Sequence, residues 1–214
     1  MPAFDPKCVS CPRLAGYLAE VRNEYPDYHA RPVAPFGDTD ARLLIVGLAP
    51  GLHGANASGR PFTGDFAGIL LYNTLFKYDF SSAPVSISRD DRLQLKGCRI
   101  TNAVKCLPPQ NKPTGTEVAA CNCYLAHEIG QMAPGTIILA LGAIAHGAVI
   151  RALGLRPRDY PFGHGHTHKL DNDRWLIDSY HCSRYNTQTR RLTEEMFHDV
   201  FRQIRHMMQH PVPA

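Results

Sequence analysis

Leu43-Leu-Ile-Val-Gly-Leu-Ala-Pro-Gly-Leu-His-Gly-Ala-Asn-Ala-Ser-Gly-Arg-Pro-Phe-Thr-Gly-Asp-Phe-Ala-Gly68 is the stretch on which the reading of this chain turns. It opens with four apolar residues, Leu43 to Val46, closed by a glycine. Such a run is the signature of a strand covered on both faces of a parallel sheet. Beyond it come Gly47, Gly51, Gly54, Gly59, Gly64 and Gly68, interleaved with His53, Asn56, Arg60, Phe62 and Asp65. Glycine tolerates positive φ and lets a ligand come close to the backbone. Open α/β sheets bind ligands where a strand's carboxyl end runs into such a loop. The plainer alternative is a long surface connection with ordinary turn glycines, although loops of this length tend to be functional.

Working outward, Cys98–Val104, Thr136–Leu141 and Trp175–Tyr180 read as three further strands. Apolar residues at helical spacing predict helices over 13–24, 67–76, 116–128 and 142–152. A last helix, capped by Thr193, aligns Phe197, Phe201, Ile204 and Met208. Thr63 or Asp65 stands where a residue would cap the 67–76 helix. Residues 29–41 and the proline-rich 107–115 read as connections, and 154–173 as a loop rich in His, Arg and Gly. Strands alternating with helices predict an α/β fold: one domain over 1–214, with a central four-stranded parallel sheet flanked by helices.

The 17 glycines and 17 prolines exceed the usual combined share of ~12%, so the fold should be rich in loops. A net charge of +4 permits a polyanionic partner without demanding one. No apolar run approaches the ~20 residues of a membrane span, and the first residues lack a signal-peptide core. The expectation is therefore a cytoplasmic protein with no membrane contact. Seven cysteines, an odd number, argue for metal or catalytic thiols rather than a disulfide framework.

Three strand ends carry polar residues: the glycine loop, Asn102 and His181. In a parallel sheet these emerge on one edge and can converge on one pocket. Taken singly, Asn102 equally suits a turn and His181 a structural role. Cys8-x-x-Cys11, with Cys106 and Cys121 bracketing the proline-rich loop, suits zinc or a [4Fe–4S] cluster. Cys123 competes with Cys121 for the fourth position, while Cys98 and Cys182 read as packing thiols. His164-Gly-His166-Thr-His168 has no carboxylate or cysteine beside it at ligand spacing, and reads as a loop that approaches a ligand or faces solvent.

Together, Gly47-Leu-Ala-Pro-Gly51, His53-Gly-Ala-Asn56, Gly59-Arg-Pro-Phe-Thr-Gly-Asp65, Thr101-Asn-Ala-Val-Lys-Cys106 and Ser179-Tyr-His-Cys-Ser-Arg-Tyr-Asn186 resemble the iron–sulfur uracil-DNA glycosylases. Gly-Leu-Ala-Pro and Phe-Thr-Gly-Asp are similar to the family 5, B-type branch. The resemblance runs in order from Cys8 to the terminal helix. It implies a monofunctional glycosylase that removes uracil, and other deaminated bases such as hypoxanthine, from DNA. It also implies an N-terminal segment bound to a structural [4Fe–4S] cluster held by Cys8, Cys11, Cys106 and Cys121. By position, Phe62 would stack on the extruded base and Asn102 would bond its pairing edge. Gly47 and Gly51 would admit the base, Asp65 would hold the water, and His181 would face the departing base. No obligate protein partner is implied, and work on DNA would place the protein with the nucleoid.

Two positions depart from the family's pattern. His181-Cys182-Ser183 replaces the usual His-Pro-Ser, and Arg190 stands where Gly is common. Arg184, Tyr185, Arg190 and Arg191 read as phosphate contacts, with Tyr185 as a wedge; a solvated loop is the plain alternative. Cleavage of an N-glycosidic bond develops a cationic sugar and an anionic base, and Asp65 and His181 have the signs to stabilise them. Were Asp65 only a helix cap, His53 would be the next base. A non-catalytic iron–sulfur or zinc DNA-binding module is the rival reading, and it has no use for Asp65. A nucleotide-binding loop ranks last, because Gly-Lys-Ser/Thr is missing.

Overall fold

The computed structural model describes residues 2–210. In chain order the elements are α1 (Pro12–Glu24), β1 (Phe36–Gly37), β2 (Leu43–Gly47), α2 (Ala55–Ser58), α3 (Phe66–Lys77), β3 (Cys98–Asn102) and α4 (Gly115–Gly130). There follow β4 (Ile137–Leu141), α5 (Ala143–Ala152), β5 (Thr167–Lys169), β6 (Trp175–Ser179), α6 (Arg184–Gln188) and α7 (Glu194–Gln209). They form a single α/β domain. The four expected strands are its parallel centre, in the order β3-β2-β4-β6. Short antiparallel edges, β1 beside β3 and β5 beside β6, extend the sheet to six strands.

Every residue of β2 is buried, and its alternate side chains feed opposite cores. Leu43 and Ile45 pack with Leu71 and Leu75 of α3 and Phe197, Phe201 and Ile204 of α7. Leu44 and Val46 pack with Leu125 and Ile129 of α4 and Val149 of α5 on the other face. Thr193 caps α7 by accepting from the Met196 N–H, as its position predicts. At the start of α4, Thr114 and Glu117 form a reciprocal capping box. Glu117 also accepts from Arg13 at 2.7 Å, which holds α1 against α4.

From β2 the chain passes to β3 on one side, whereas β4 lies on the other, so the path reverses at the middle of the sheet. Such a reversal opens a crevice at the carboxyl ends of the strands. The register there pairs Gly47 with Asn102 and Leu141 with Ser179. The loops that follow these pairs build the site.

Candidate active site

Phe62, Asp65, Asn102 and His181 line one cavity of about 480 Å³, together with Leu48, Gly51 and Phe66. Pockets that bury small ligands span roughly 300–1,000 Å³. Its rim carries Arg184, Tyr185, Ser183 and Asn111.

Phe62 holds φ +59°, a conformation a bulky residue rarely adopts without support. The support is visible on either side. The Tyr72 hydroxyl donates to Pro61 O at 2.8 Å, and Thr63 bonds Ser86 at 2.7 Å. Gly68 of α3 lies against the Phe62 carbonyl, where a Cβ would come within 1.9 Å of the oxygen. Arg60, also carried by the glycine-rich loop, is buried outside the cavity. It pairs with Asp91 at 2.6 Å, donates to Ser86 and to Arg89 O, and covers the Phe36 ring. Its role is to anchor the loop, and this guanidinium with the backbone N–H groups around it lowers the Asp91 carboxyl to about 2.

Asp65 occupies the N-cap position of α3, yet its side chain makes no capping bond there. The carboxylate turns across the loop and accepts from the Ala55 N–H at 3.0 Å. Gly51 and Gly54 leave the room it needs, since a Cβ on either would fall 2.2 or 2.0 Å from Asp65 Oδ1. Burial raises the Asp65 carboxyl above its ordinary value, partly opposed by the N–H groups of Ala55 and Gly51. The cap alternative is therefore set aside. His53 lies outside the cavity lining, exposed and bonded to the Tyr28 hydroxyl at 2.9 Å.

Asn102 ends β3 and is only 3% exposed. Its Oδ1 is buried without a hydrogen-bond partner. Leaving such an atom unpaired costs about 1–3 kcal/mol. Gly47 does not line the cavity but supports it from below: a Cβ there would come 2.5 Å from Asn102 Oδ1 and 2.6 Å from Phe62 Cζ. His181 follows β6, and its loop is held by Asn186 Nδ2, which donates to His181 O at 2.8 Å. The His181 ring lies 6.1 Å from Phe62 at 26°. Burial pushes its imidazole down to about 4, so it is neutral at physiological pH.

Of the basic–aromatic run, Arg184 and the 70%-exposed Tyr185 stand on the rim of the cavity, Arg184 over the Phe66 ring. Arg191 lies over Tyr180 in an adjoining hollow that shares His181 and Leu48. Arg190 faces away, beside Phe66 and Leu192, with φ +57°. That left-handed backbone is the conformation glycine adopts most freely.

Away from the cavity, Cys8, Cys11, Cys106 and Cys121 line a second, small hollow between α1 and α4, with Cys123 beside them. Cys121 is buried and accepts from the Lys105 N–H at 3.3 Å. Cys123 is half-buried and donates to Ala120 O. Burial lifts the Cys106 and Cys121 thiols to about 12 and about 11. Cys98 and Cys182 are packed in the core of the sheet, as expected of packing thiols. The histidine loop differs from expectation. His168 lies on β5 and faces Asp178 of β6, so a carboxylate does accompany it, supplied by a neighbouring strand.

The carboxyl edge of an α/β sheet thus gathers an aromatic ring, an amide, a carboxylate and an imidazole around one cavity, a set equipped for hydrolysis of a bound planar ligand. The family model described as "Uracil DNA glycosylase superfamily" matches residues 34–205. The chain is 48% identical over 200 residues to a type-5 uracil-DNA glycosylase of Thermus thermophilus, covering 90% of each chain. It is 42% identical to one of Pyrobaculum aerophilum, covering 91% of this chain and 86% of that protein. With one of Mycobacterium tuberculosis the figures are 40%, 92% and 76%. The chain belongs to the uracil DNA glycosylase superfamily.

Proposed function

We propose that this protein is a monofunctional DNA glycosylase that hydrolyses the N-glycosidic bond of uracil in DNA and leaves an abasic site. The observation that carries the reading is that Asn102, whose amide oxygen has no partner, lines one cavity with Phe62, Asp65 and His181. A base within a duplex is out of reach, so it is extruded into the cavity. The Phe62 face stacks on it, an interaction worth about 1–3 kcal/mol. The Asn102 amide offers a donor and an acceptor in one plane, the pattern of uracil's pairing edge. As the bond lengthens, the Asp65 carboxylate stabilises the cationic sugar and orients the attacking water. His181, neutral, donates an N–H toward the departing base without itself losing a proton. No lysine lines the cavity among the described residues. An imine route to strand cleavage therefore has no nucleophile there.

Hypoxanthine and other deaminated bases follow as secondary substrates, since each presents a carbonyl where the parent base has an amine. Arg184 and Arg191 contact phosphates, and Tyr185 enters the space the base vacates, whereas Arg190 faces away and is left out of this contact. Backbone contacts of this kind position the duplex without reading sequence. The partner is therefore DNA carrying a deaminated base, on which a nucleoid-associated place in the cell depends.

Cys8, Cys11, Cys106 and Cys121 hold a [4Fe–4S] cluster in this reading. Tetrahedral zinc at ~2.3 Å needs its sulfurs about 4 Å apart. Among the described residues, no cysteine belongs to a group of three ligand atoms within 4.8 Å of one another. A cluster, in which each thiolate takes a different iron, accepts that wider spacing. Bound there, it supplies a cross-link between the N-terminal segment, the 103–107 turn and α4 rather than a step in base release.

Duplexes carrying a single uracil, hypoxanthine or mismatched thymine, treated with alkali after incubation, test the reading. Strand breaks at uracil only after alkali are expected. Breaks without alkali, or none at uracil, contradict it.

A further inference from the structure

Around β6, and outside the cavity lining, lies a polar group that the proposed base excision does not use. Asp178 is fully buried. Its Oδ1 lies 2.8 Å from His146 Nδ1 on α5, and its Oδ2 accepts from the Gly163 N–H at 3.3 Å. His168 of β5 brings Nε2 to 3.6 Å of the same carboxylate. That Nε2 is buried and has no hydrogen-bond partner. The ligand atoms of His146, His168 and Asp178 all lie within 4.8 Å of one another.

The hydrogen-bond accounting of His146 shows why this group is unusual. Its Nε2 sits 2.8 Å from Tyr160 O, and a carbonyl only accepts, so Nε2 carries the hydrogen. On a neutral ring Nδ1 is then a bare lone pair, aimed at an anionic oxygen 2.8 Å away. Two acceptors at that distance require either a proton, carried by the ring or by the carboxyl, or a metal ion. The neighbouring His168 Nε2, buried without a partner, is left unsatisfied by a ring proton on His146. A metal ion would use all three. Tyr160 O already serves His146 as the outer-shell partner that fixes the tautomer of a ligating histidine.

We propose that His146, His168 and Asp178 bind a divalent transition-metal ion. Two imidazoles and one carboxylate suit Zn²⁺, with water completing the tetrahedron, and Co²⁺ takes the same set. The rings of Tyr160 and Phe162 pack beside the histidines and shield the site. The ion would fasten the edge strand and the 160–166 turn to β6. That turn matters to the catalytic loop, because His164 accepts from the Tyr180 N–H one residue before His181.

The test uses the full-length, tag-free protein with its iron content recorded, freed of loosely held metal by EDTA and titrated with ZnCl₂ by calorimetry. Saturation at one Zn²⁺ per chain is expected, with a rise in melting temperature. His168→Gln should weaken binding by about 100-fold or more, since loss of outer-shell partners alone costs 10- to 100-fold. This variant changes an edge strand and leaves the His146–Asp178 bond in place, and its melting temperature in EDTA should match the parent. Co²⁺ should give visible d–d bands without a thiolate charge-transfer band, which separates this site from the cysteines. The His206–His210 pair on the last helix is untouched in His168→Gln. Binding undiminished in the variant assigns the metal to that pair and overturns the proposal. So does the absence of saturable binding, which leaves a proton as the only cation between His146 and Asp178.

Discussion

Gly54 lies so close to Asp65 that a methyl group on its Cα would sit 2.0 Å from Oδ1 and 2.2 Å from Cγ of the carboxylate. The carboxylate is thus positioned by the absence of a side chain. Gly54→Ala must push it out of the site or distort the loop. Displacement of a catalytic group by about 1 Å can cost on the order of 100-fold in rate. We expect that loss in single-turnover base release, with duplex binding changed little. Unaltered release by Gly54→Ala would mean that Asp65 can work from a different position.

The acid limb of activity should belong to Asp65. Burial raises its carboxyl above the ordinary range, so falling pH protonates it early and removes the anion proposed to act on the sugar. Burial shifts His181 the other way, to about 4, well below its ordinary range. His181→Gln should therefore lower the rate without moving the acid limb of kcat/KM. For stability the sign is also fixed. The unfolded chain takes up a proton on this histidine near pH ~6.5, before the folded chain does. Stability held above that pH is lost as the pH falls toward about 4. Melting curves of His181→Gln should be flatter over this window.

Asn102→Ala removes the amide but leaves Phe62 and Asp65 in place. A lost hydrogen bond in a buried site costs about 1–3 kcal/mol, or roughly 5- to 150-fold in rate. Uracil should suffer more than a base with a different pairing edge. Equal losses on every base would remove Asn102 from recognition.

Cys121→Ser should abolish iron binding and the brown colour, whereas Cys123→Ser should keep both. The two residues are two apart on α4 and cannot share a helix face. Cys121 is the buried one, braced by the Lys105 N–H at 3.3 Å. Iron retained by Cys121→Ser and lost by Cys123→Ser would exchange their roles.

Much of this fold is legible in the sequence because buried parallel strands announce themselves as apolar runs. Leu43 to Val46 and Ile137 to Leu141 need no context to be read. The two-residue β1 and three-residue β5 are too short to show a period and exist only by pairing with β3 and β6. Side-chain direction is the second thing a sequence conceals. Asp65 stands at a helix cap and points elsewhere. Arg60 stands in the loop that forms the pocket, yet its charge is satisfied by Asp91, 31 residues on. Asp178 meets His168 only because a hairpin folds one strand onto the next.

On the proposed reading, the Asp65 carboxylate acts on the sugar of an extruded nucleotide held between Phe62 and Asn102. Single-turnover release of uracil by Asp65→Ala, with affinity for the same duplex measured in parallel, tests it most directly. Loss of a positioned general base costs roughly 100- to 10,000-fold. A fall of that size with affinity preserved is the predicted result, and base release at the parent rate would contradict the account.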